Sequence, residues 1–250
     1  MSEGPQVKLV TERLQRHLQG QVVSDCKTTR EHLGTFSESV KGSRVERVFC
    51  KGKHIFLEFS GERFLQNHLL MRGRWRTIKG RLLLLPTEMW LALEIGNTTV
   101  GNINGQVLRV LDADGLQERL DSLGPDVMSA DCSEERIAAA LDRQEATVGE
   151  ILLDQSVLCG IGNVAKSESL FLAQVHPEAL LSHLRPDQVI KLSETIRDVM
   201  WESYNAGGRW THRVYRRAGM KCYECGNRIA MIRQGKQRRS TYFCPTCQPI

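Results

Sequence analysis

The sequence predicts an α+β protein of two domains: an N-terminal β-sandwich flanked by helices, then a helical domain that ends in a C-terminal zinc-finger β-hairpin. Three observations predict it. Apolar residues alternate in short runs between residues 54 and 111, they recur at helical spacing from about residue 133 to 204, and two Cys-x2-Cys pairs close the chain. With 250 residues, 41% of them hydrophobic, the chain is long enough to bury a core in each domain.

The N-terminal half is predicted to begin with a helix and to continue in short strands. Apolar side chains at helical spacing indicate an amphipathic helix over residues 6–19, namely Val7, Val10, Leu14 and Leu18. The period then changes to two, because Ile55, Leu57 and Phe59 alternate with other side chains. Further apolar runs lie at residues 64–70, 82–85, 89–95 and 107–111. One helix followed by many short strands favours a sandwich.

The C-terminal half is predicted to be helical up to the cysteine pairs. Four helix starts are expected, at Ser133, Thr147, Asn163 and Pro186. Thr147 and Glu150 have the spacing of a capping box. We place the domains at residues 1–124, 132–206 and 207–250, with a linker at 125–131.

Four cysteines near the C-terminus form the sharpest local pattern. Cys222 and Cys225 make one pair, Cys244 and Cys247 make the other, and eighteen residues separate the pairs. Two such pairs can present four thiolates in the tetrahedral geometry that Zn2+ prefers, so we predict one structural zinc site. Two unrelated cysteine pairs are the alternative. The other cysteines are expected to be reduced thiols: Cys26, Cys50, Cys132 and Cys159.

Positive charge is concentrated around this predicted zinc site. The net charge of the chain is +5, but residues 208–241 hold ten Lys and Arg residues against Glu224 alone. Such a cluster in a folded segment predicts a polyanionic partner, and a solvated basic face is the alternative. The longest apolar run is too short to span a bilayer, and the first residues lack a secretion signal. We therefore expect no membrane association, and a location in the cytoplasm at the nucleoid or in a nucleus.

A glycine-rich turn is the second candidate site for an anion. In Gly160-Ile161-Gly162-Asn163, the glycines permit left-handed backbone and Asn163 is suited to cap the next helix. Exposed N–H groups at a helix N-terminus bind phosphate, so the turn is a candidate phosphate site. A tight connection between two helices needs glycine for packing alone, which is the alternative.

These motifs together resemble the formamidopyrimidine-DNA glycosylase and endonuclease VIII family. The turn, preceded by Leu153-Asp154-Gln155 and followed by Glu168 and His176-Pro177, resembles its helix-two-turn-helix. The terminal segment at residues 239–248 resembles its zinc-finger hairpin, and Gly124-Pro125-Asp126 its domain junction. Met1-Ser2-Glu3-Gly4-Pro5 is similar to its N-terminus. The resemblance spans essentially the whole chain in the same order.

The resemblance implies a base-excision DNA repair enzyme. In this family the mature N-terminal amine attacks C1′ of a damaged nucleotide flipped out of the duplex; a Schiff base forms, and elimination then nicks the strand. That amine would belong to Ser2, and Glu3 would assist proton transfer. A free α-amine has a pKa near 8, which leaves a usable neutral fraction at physiological pH. The expected enzyme is a glycosylase of oxidised bases with abasic-site lyase activity.

Residue 2 departs from the family pattern, because the usual nucleophile is a proline and this chain has Ser2. Serine is small enough for an aminopeptidase to remove Met1, which would expose a primary amine. Three outcomes stay open: an active glycosylase with weaker or altered lyase activity, a binder of damaged or abasic DNA without catalysis, and an engineered or trapping substitution.

Further site residues follow from the resemblance. Lys53, Asn163 and Arg239 would hold phosphates around the flipped nucleotide, and Lys53 would also belong to the catalytic group. His68 begins the loop from which the family inserts a residue into the base stack, and Met71 is the predicted wedge. A plain surface lysine at residue 53 and core packing of Met71 are the alternatives.

Two absences favour the endonuclease VIII branch and oxidised pyrimidines. Residues 96–101 lack the Arg-Phe pair that the other branch carries there, and the segment between Tyr204 and Val214 is too short for a long lesion-capping loop. Damaged DNA is the expected partner, and the protein is expected to be a monomer. A non-catalytic DNA-binding protein and a zinc-ribbon module for protein contacts are the competing classes.

Overall fold

Residues 2–142 and 145–250 are described by the structure, which is a computed structural model. The chain divides into two units. Of the described residues, the first unit contains Ser2 and residues 7–121, and the second contains residues 3–6 and 122–250. The chain therefore passes from the first unit to the second between residues 121 and 122. Near the N-terminus, residues 3–6 also belong to the second unit.

The first unit is a β-sandwich of two antiparallel sheets with helices beside them. One sheet has the order β1-β6-β7-β5 and the other β2-β3-β4-β8. The strands are β1 Asp25–Thr28, β2 Val45–Lys51, β3 His54–Phe59, β4 Arg63–His68, β5 Arg74–Lys79, β6 Met89–Ile95, β7 Thr98–Ile103 and β8 Val107–Leu111. The helices are α1 Gly4–Leu18, α2 Gly34–Ser39 and α3 Ala113–Asp121. The predicted first helix, β6 and β8 are confirmed, but α2, α3 and several strands were not predicted.

The core of the sandwich explains why the strand pattern is only partly alternating. Leu57 and Phe59 of β3 lie with the apolar side chains of α1 in the main core. Phe56, which points to the opposite face of the strand, is also fully buried and packs against Phe64 and Leu116. Strand β3 is thus covered on both faces, because α3 shields the face that the alternating pattern assigns to solvent.

The apolar run at residues 82–85 is not a strand. Leu82 and Leu85 are partly buried, whereas Leu83 and Leu84 are 92% and 86% exposed in the loop between β5 and β6. The run lacks alternation and is followed by Pro86, which cannot donate to a sheet. The segment at residues 96–101, which lacks the Arg-Phe pair, is only in part a loop: Gly96 and Asn97 form a turn, and residues 98–101 lie in β7.

The second unit is helical and ends in a hairpin. Its helices are α4 Glu134–Leu141, α5 Val148–Ile151, α6 Asn163–Leu172 and α7 Pro186–Asn205, and its strands are β9 Ala230–Gln234 and β10 Arg239–Phe243. The four predicted helix starts are confirmed to within one residue. Its core is formed by α4, α6 and α7, and β10 packs along α6. Among the described residues, no helix is long and apolar enough to cross a membrane.

The helix caps differ in part from the prediction. Ser133 caps α4 as expected, because its Oγ accepts a hydrogen bond from the Arg136 N–H at 3.3 Å. Thr147 precedes α5, but its hydroxyl donates to the Glu150 carboxylate and caps no backbone N–H. Asn163 is the first helical residue of α6, and Gly162 occupies the cap position. Another group must therefore satisfy the first N–H groups of α6.

Candidate active site and nucleic-acid interface

The backbone nitrogen of Ser2 is held by the loop that follows β4. It donates a hydrogen bond to the Leu70 carbonyl at 3.0 Å. Leu70 has φ of 49°, a left-handed conformation that is uncommon for a residue with a branched apolar side chain. Its own N–H donates to His68 Nδ1 at 3.0 Å. Hydrogen bonds therefore fix both the N–H and the carbonyl group of Leu70, and the bond to the carbonyl comes from Ser2.

The same loop presents the predicted wedge to solvent. Met71 is 73% exposed, so the alternative that it packs in the core is wrong. The loop is closed by a hydrogen bond from the Gly73 N–H to the Leu69 carbonyl at 2.8 Å. A Cβ at Gly73 would lie 2.5 Å from that carbonyl oxygen, so the tight turn requires glycine. An exposed thioether on a rigid turn is suited to insertion between bases.

His68 is a neutral hydrogen-bond donor at the base of this loop. Because its Nδ1 accepts from Leu70, its proton lies on Nε2. Burial, together with the charges of Lys53 and Arg119, lowers the pKa of His68 to about 4. His68 can therefore donate to a phosphate oxygen, but it carries no charge of its own near neutral pH.

The buried His54 contacts His68. The rings of His54 and His68 meet edge to face with centroids 4.8 Å apart. Arg119, which can only donate, lies 2.6 Å from His54 Nε2, so that nitrogen accepts and Nδ1 carries the proton. Gln66 Nε2 lies 2.9 Å from Nδ1, and this tautomer requires the Gln66 amide in the flipped orientation, in which its oxygen accepts. Burial and Arg119 lower the pKa of His54 to about 3, which keeps it neutral.

Lys53 lies in a turn, whereas the resemblance had placed it on a strand. It occupies the two-residue turn between β2 and β3, where Gly52 has φ of 59°. A lysine in a hairpin turn is ordinarily exposed, but Lys53 is only 7% exposed. The alternative that it is a plain surface lysine is therefore wrong.

Glu3 caps helix α6 from a position 159 to 162 residues away in the chain. Its carboxylate accepts hydrogen bonds from the N–H groups of Gly162 at 3.1 Å, Val164 at 2.9 Å and Ala165 at 3.1 Å. The side chain is 1% exposed. Three N–H donors and the positive end of the helix dipole stabilise the ionised carboxylate.

This cap overturns one part of the sequence interpretation. The N–H groups at the start of α6 were expected to bind a DNA phosphate, but Glu3 already occupies them. A second anion cannot bind the same donors. Gly162 is required for the contact, because a Cβ there would lie 2.3 Å from the Glu3 carboxyl carbon. The glycine that suggested a phosphate site serves a carboxylate of the protein.

The side chain of Asn163 stays outside the Glu3 cap, which engages the N–H groups of Gly162, Val164 and Ala165. Its Oδ1 atom is buried and has no hydrogen-bond partner, which is uncommon for a buried amide oxygen. The residue as a whole is half-buried at the first position of α6. The side-chain amide is therefore not consumed by a cap, in contrast to the backbone around it.

A buried lysine connects α6 to the hairpin. Lys166 is fully buried, and its Nζ donates to the Thr241 hydroxyl at 2.6 Å. That hydroxyl donates to Gln234 Oε1, and Gln234 Nε2 donates to the Pro177 carbonyl at 2.9 Å. Burial lowers the pKa of Lys166 to about 7, with Arg239 acting in the same direction and Glu3 and Glu150 against it. No pattern in the sequence indicated a role for this residue.

Arg239 begins strand β10 of the hairpin. It pairs with Gln234 of β9, and its Nε donates to Gln237 Oε1 at 3.0 Å. The turn between the strands is closed by a hydrogen bond from Arg238 to Gly235. Since Gln234 and Thr241 are both fixed through Lys166, the start of β10 is held in register against α6.

Glu168 is a second buried carboxylate that the sequence reasoning assigned no role. It accepts hydrogen bonds from the backbone N–H groups of Arg213 at 2.8 Å, Val214 at 3.0 Å and Tyr215 at 2.8 Å. It thereby fixes the basic segment that enters the zinc finger. A buried carboxylate needs such donors, and its burial is visible only in the folded structure.

The four predicted zinc ligands lie together. The sulfur atoms of Cys222, Cys225, Cys244 and Cys247 all lie within 4.8 Å of one another. The pairs Cys222–Cys247 and Cys225–Cys244 are 3.9 and 3.5 Å apart. A tetrahedral Zn–S4 shell with bonds of about 2.3 Å needs sulfur separations of about 3.8 Å, so the cluster fits Zn2+.

Each unit thus brings part of the predicted site together. In the first unit, Ser2, His68 and Met71 meet on one loop, and the charge of Lys53 acts on His68. In the second unit, Glu3 meets the turn that precedes Asn163, and the charges of Glu3 and Arg239 both act on Lys166.

Three family profiles match consecutive parts of the chain. They are described as the formamidopyrimidine-DNA glycosylase N-terminal domain at residues 1–113, the formamidopyrimidine-DNA glycosylase H2TH domain at 123–214, and the zinc finger found in FPG and IleRS at 219–250.

Curated relatives match over the full length. A DNA-(apurinic or apyrimidinic site) lyase Nei2 of Mycolicibacterium smegmatis is 32% identical over 99% of both chains. Endonuclease 8 2 of Mycobacterium tuberculosis is 32% identical over 99% of this chain and 100% of its own. A formamidopyrimidine-DNA glycosylase of Chloroflexus aurantiacus is 31% identical over 99% and 98%.

Solved structures share the fold. The Lactococcus lactis Fpg in complex with abasic-site DNA has a TM-score of 0.87 at 22% identity and covers 100% of both chains. The same protein with DNA containing an oxidised pyrimidine also has a TM-score of 0.87 at 22% identity, over 99% of this chain and 100% of the other.

Proposed function

Since the chain belongs to the formamidopyrimidine-DNA glycosylase and endonuclease VIII family, we propose that it is a base-excision enzyme that removes oxidised bases from DNA and opens the strand at the abasic site. One observation carries the proposal. The backbone nitrogen of Ser2 and the carboxylate of Glu3, which are neighbours in the chain, are each fixed by hydrogen bonds, to Leu70 and to the start of α6. A nucleophile and an acid–base group need such restraint.

Ser2 supplies the nucleophile once Met1 is removed. The neutral primary amine attacks C1′ of the flipped nucleotide, and the base leaves with the electron pair of the glycosidic bond. The adjacent Glu3 takes part in proton transfer, and its negative charge stabilises the cationic intermediates. Its three N–H partners favour the ionised form, so Glu3 begins the reaction as a base.

Lys53, His68, Asn163 and Arg239 are proposed to hold the DNA backbone, and Met71 to fill the space of the flipped nucleotide. The exposure of Met71 and the restrained loop beneath it support the wedge. The two cations, Lys53 and Arg239, would account for most of the salt dependence of DNA affinity. The neutral His68 would add a directed hydrogen bond. Zinc has a structural role in this proposal, because all four ligands come from the protein and none is left open for a substrate.

The finer assignments are also proposals. The relatives of both branches have nearly equal identities of 31% and 32%, so the preference for oxidised pyrimidines rests on the loop features in the sequence. We also propose that residues 125–250 divide into a linker, a DNA-binding domain and a zinc segment. The protein is proposed to be a monomer located in the cytoplasm at the nucleoid or in a nucleus.

The test is base release from duplexes that contain an oxidised pyrimidine, 8-oxoguanine or an abasic site. We expect release of the pyrimidine and strand cleavage at the abasic site, with both lost in Glu3→Gln. A Glu12→Gln variant, on helix α1 that directly follows Glu3, is the matched control. Tight binding to abasic DNA without release or cleavage would support the second candidate, a non-catalytic damage binder, which the replacement of proline by Ser2 favours.

A further inference from the structure

We propose that the Leu70 carbonyl oxygen is a catalytic group of the lyase step, and that it keeps the Schiff base of Ser2 protonated. The inference rests on the proposed function, because it requires that the Ser2 amine reacts with C1′. The observation behind it is the hydrogen bond from the Ser2 peptide N–H to the Leu70 carbonyl at 3.0 Å; removal of Met1 converts this nitrogen into the primary amine beside the same acceptor.

The number of hydrogens on the nucleophile decides what this contact can do. A neutral primary amine carries two hydrogens; one can donate to Leu70 while the lone pair attacks C1′. After attack and loss of one proton, the nitrogen keeps a single N–H. The sugar then opens: the C1′–O4′ bond breaks, O4′ takes a proton, and the nitrogen lone pair forms the C1′=N bond of a protonated imine.

A proline nucleophile reaches a different intermediate. Its neutral amine has one hydrogen, which is lost after attack, so its iminium has no N–H and keeps its positive charge at every pH. The imine of Ser2 can instead lose its last proton and become neutral. Elimination begins with removal of a proton from C2′, and a neutral imine accepts the electron pair of that C–H bond poorly. An enzyme with a primary amine therefore needs a group that retains the proton.

Leu70 is arranged to be that group. A carbonyl oxygen that accepts from a cationic N–H forms a strong, charge-assisted hydrogen bond. Leu70 is held at φ of 49°, and its N–H is fixed on His68 Nδ1 at 3.0 Å. The carbonyl therefore cannot easily turn away from the Ser2 nitrogen. The strain at a residue that is not glycine or asparagine is consistent with a functional constraint.

The charged and titratable groups around this contact do not replace it. His68 has a pKa of about 4 and is neutral, and Lys53 and Arg119, which lower that pKa, are cations that disfavour a second positive charge. Glu3, which is proposed to transfer protons, has its carboxylate held by the N–H groups of α6. The Leu70 carbonyl is the acceptor that contacts the nitrogen directly.

The experiment combines two substitutions and traps the imine with cyanoborohydride, which reduces the protonated form. The substrate is a duplex with an abasic site, so base excision is bypassed. Leu70→Val disfavours the left-handed backbone and displaces the carbonyl, and Ser2→Pro removes the N–H from the intermediate. Each is measured alone and together across pH. Glu62→Val is the matched control, because Glu62 has φ of 55° on an exposed turn of the same unit.

We expect Leu70→Val to reduce trapping by about 10- to 100-fold in the Ser2 background and to move the alkaline fall in trapping to lower pH. The direction follows because the lost hydrogen bond had stabilised the protonated imine. In the Ser2→Pro background the same substitution should change the pH profile little. Glu62→Val should resemble its parent in both.

Equal losses in the two backgrounds, with no shift of the pH profile, would overturn the proposal and assign Leu70 a structural role. That result is distinct from failure of the proposed function, in which the unsubstituted protein forms no trapped adduct at all. Thermal melting of each variant shows whether it is folded, and a Leu70→Val protein that unfolds is replaced by Leu70→Ile at lower temperature.

Discussion

Lys166 Nζ lies 2.6 Å from the Thr241 hydroxyl, and this buried contact joins helix α6 to strand β10. Helix α6 begins at the amides that hold Glu3, and β10 begins at Arg239. Glu3, which is proposed for proton transfer, contacts α6, and Arg239, which is proposed for phosphate binding, lies on β10. The buried amine of Lys166 connects these two elements. Both sets of contacts lie within the second unit.

The buried amine predicts a pH-dependent stability. In the folded state the pKa of Lys166 is lowered to about 7, mainly by burial, from its ordinary value of 10.5. Between these values the unfolded chain binds more protons, so Lys166 makes stability rise with pH, by up to roughly 5 kcal/mol at about 1.36 kcal/mol per unit. Lys166→Met should therefore gain stability relative to the parent at about pH 6.5 and lose that gain near pH 9.5.

Denaturant unfolding of both proteins at the two pH values checks this prediction. The difference between them isolates Lys166, because all other groups titrate in both. Lys191→Met, at an exposed position of α7, should show no such pH dependence. A stability difference between parent and Lys166→Met that is constant with pH would contradict the assignment of Lys166 as a titrating buried amine.

Glu3→Gln should destabilise the second unit as well as abolish catalysis. A carboxylate presents acceptors to all three N–H groups, whereas an amide places an NH2 group against at least one of them. We expect a loss of about 2 kcal/mol or more in unfolding free energy. Glu12→Gln, which alters an ion pair with Lys8 at the surface of α1, should change stability by less than about 0.5 kcal/mol. A Glu3→Gln protein of unchanged stability would refute the capping role.

The phosphate contacts should separate by their salt dependence. Arg239→Gln should weaken binding to abasic-site DNA and reduce the slope of log affinity against log salt by about one. His68→Ala should weaken binding but leave the slope unchanged, because His68 has a pKa of about 4 and is neutral. Binding titrations over a range of salt concentrations measure the affinity and the slope for each variant. Equal slope changes in both variants would mean that His68 binds DNA as a cation.

Removal of zinc should release the hairpin without unfolding the sandwich. The thiolate cluster holds both ends of the segment that contains β9 and β10, so metal binding contributes directly to the folding of that segment. Metal analysis should find one zinc per chain, and Cys225→Ser should lower that content while Cys50→Ser does not. Chelation should weaken DNA binding more than Arg239→Gln alone. Full DNA affinity of a zinc-free protein would count against a structural role of the metal in binding.

The sequence was most informative where a feature depends on neighbours in the chain. The zinc ligands come in two local pairs, and Ser133 lies beside the helix it caps, so both were predicted. The contact of Glu3 with Gly162 was not, because 159 residues separate them and no local pattern states which helix terminus a carboxylate will reach. The glycines of the turn were correctly singled out, but for the wrong anion.

Conformation and burial were harder to predict than residue identity. Lys53 was selected by resemblance, yet its place in a turn and its low exposure depend on how β2 and β3 pair. The left-handed backbone of Leu70 could not be predicted either, since a leucine carries no preference for it. Buried Lys166 resembles any helical lysine in sequence, and only the packing of β10 on α6 reveals it.

The most direct test of the central claim is to locate the covalent bond to DNA. The protein is incubated with an abasic-site duplex, reduced with borohydride and digested, and the modified peptide is identified by mass spectrometry. The account predicts that Met1 is absent and that the sugar remnant is attached to the α-amine of Ser2. An adduct on Lys53 or another lysine, or no adduct from a protein that binds the same duplex, would contradict it.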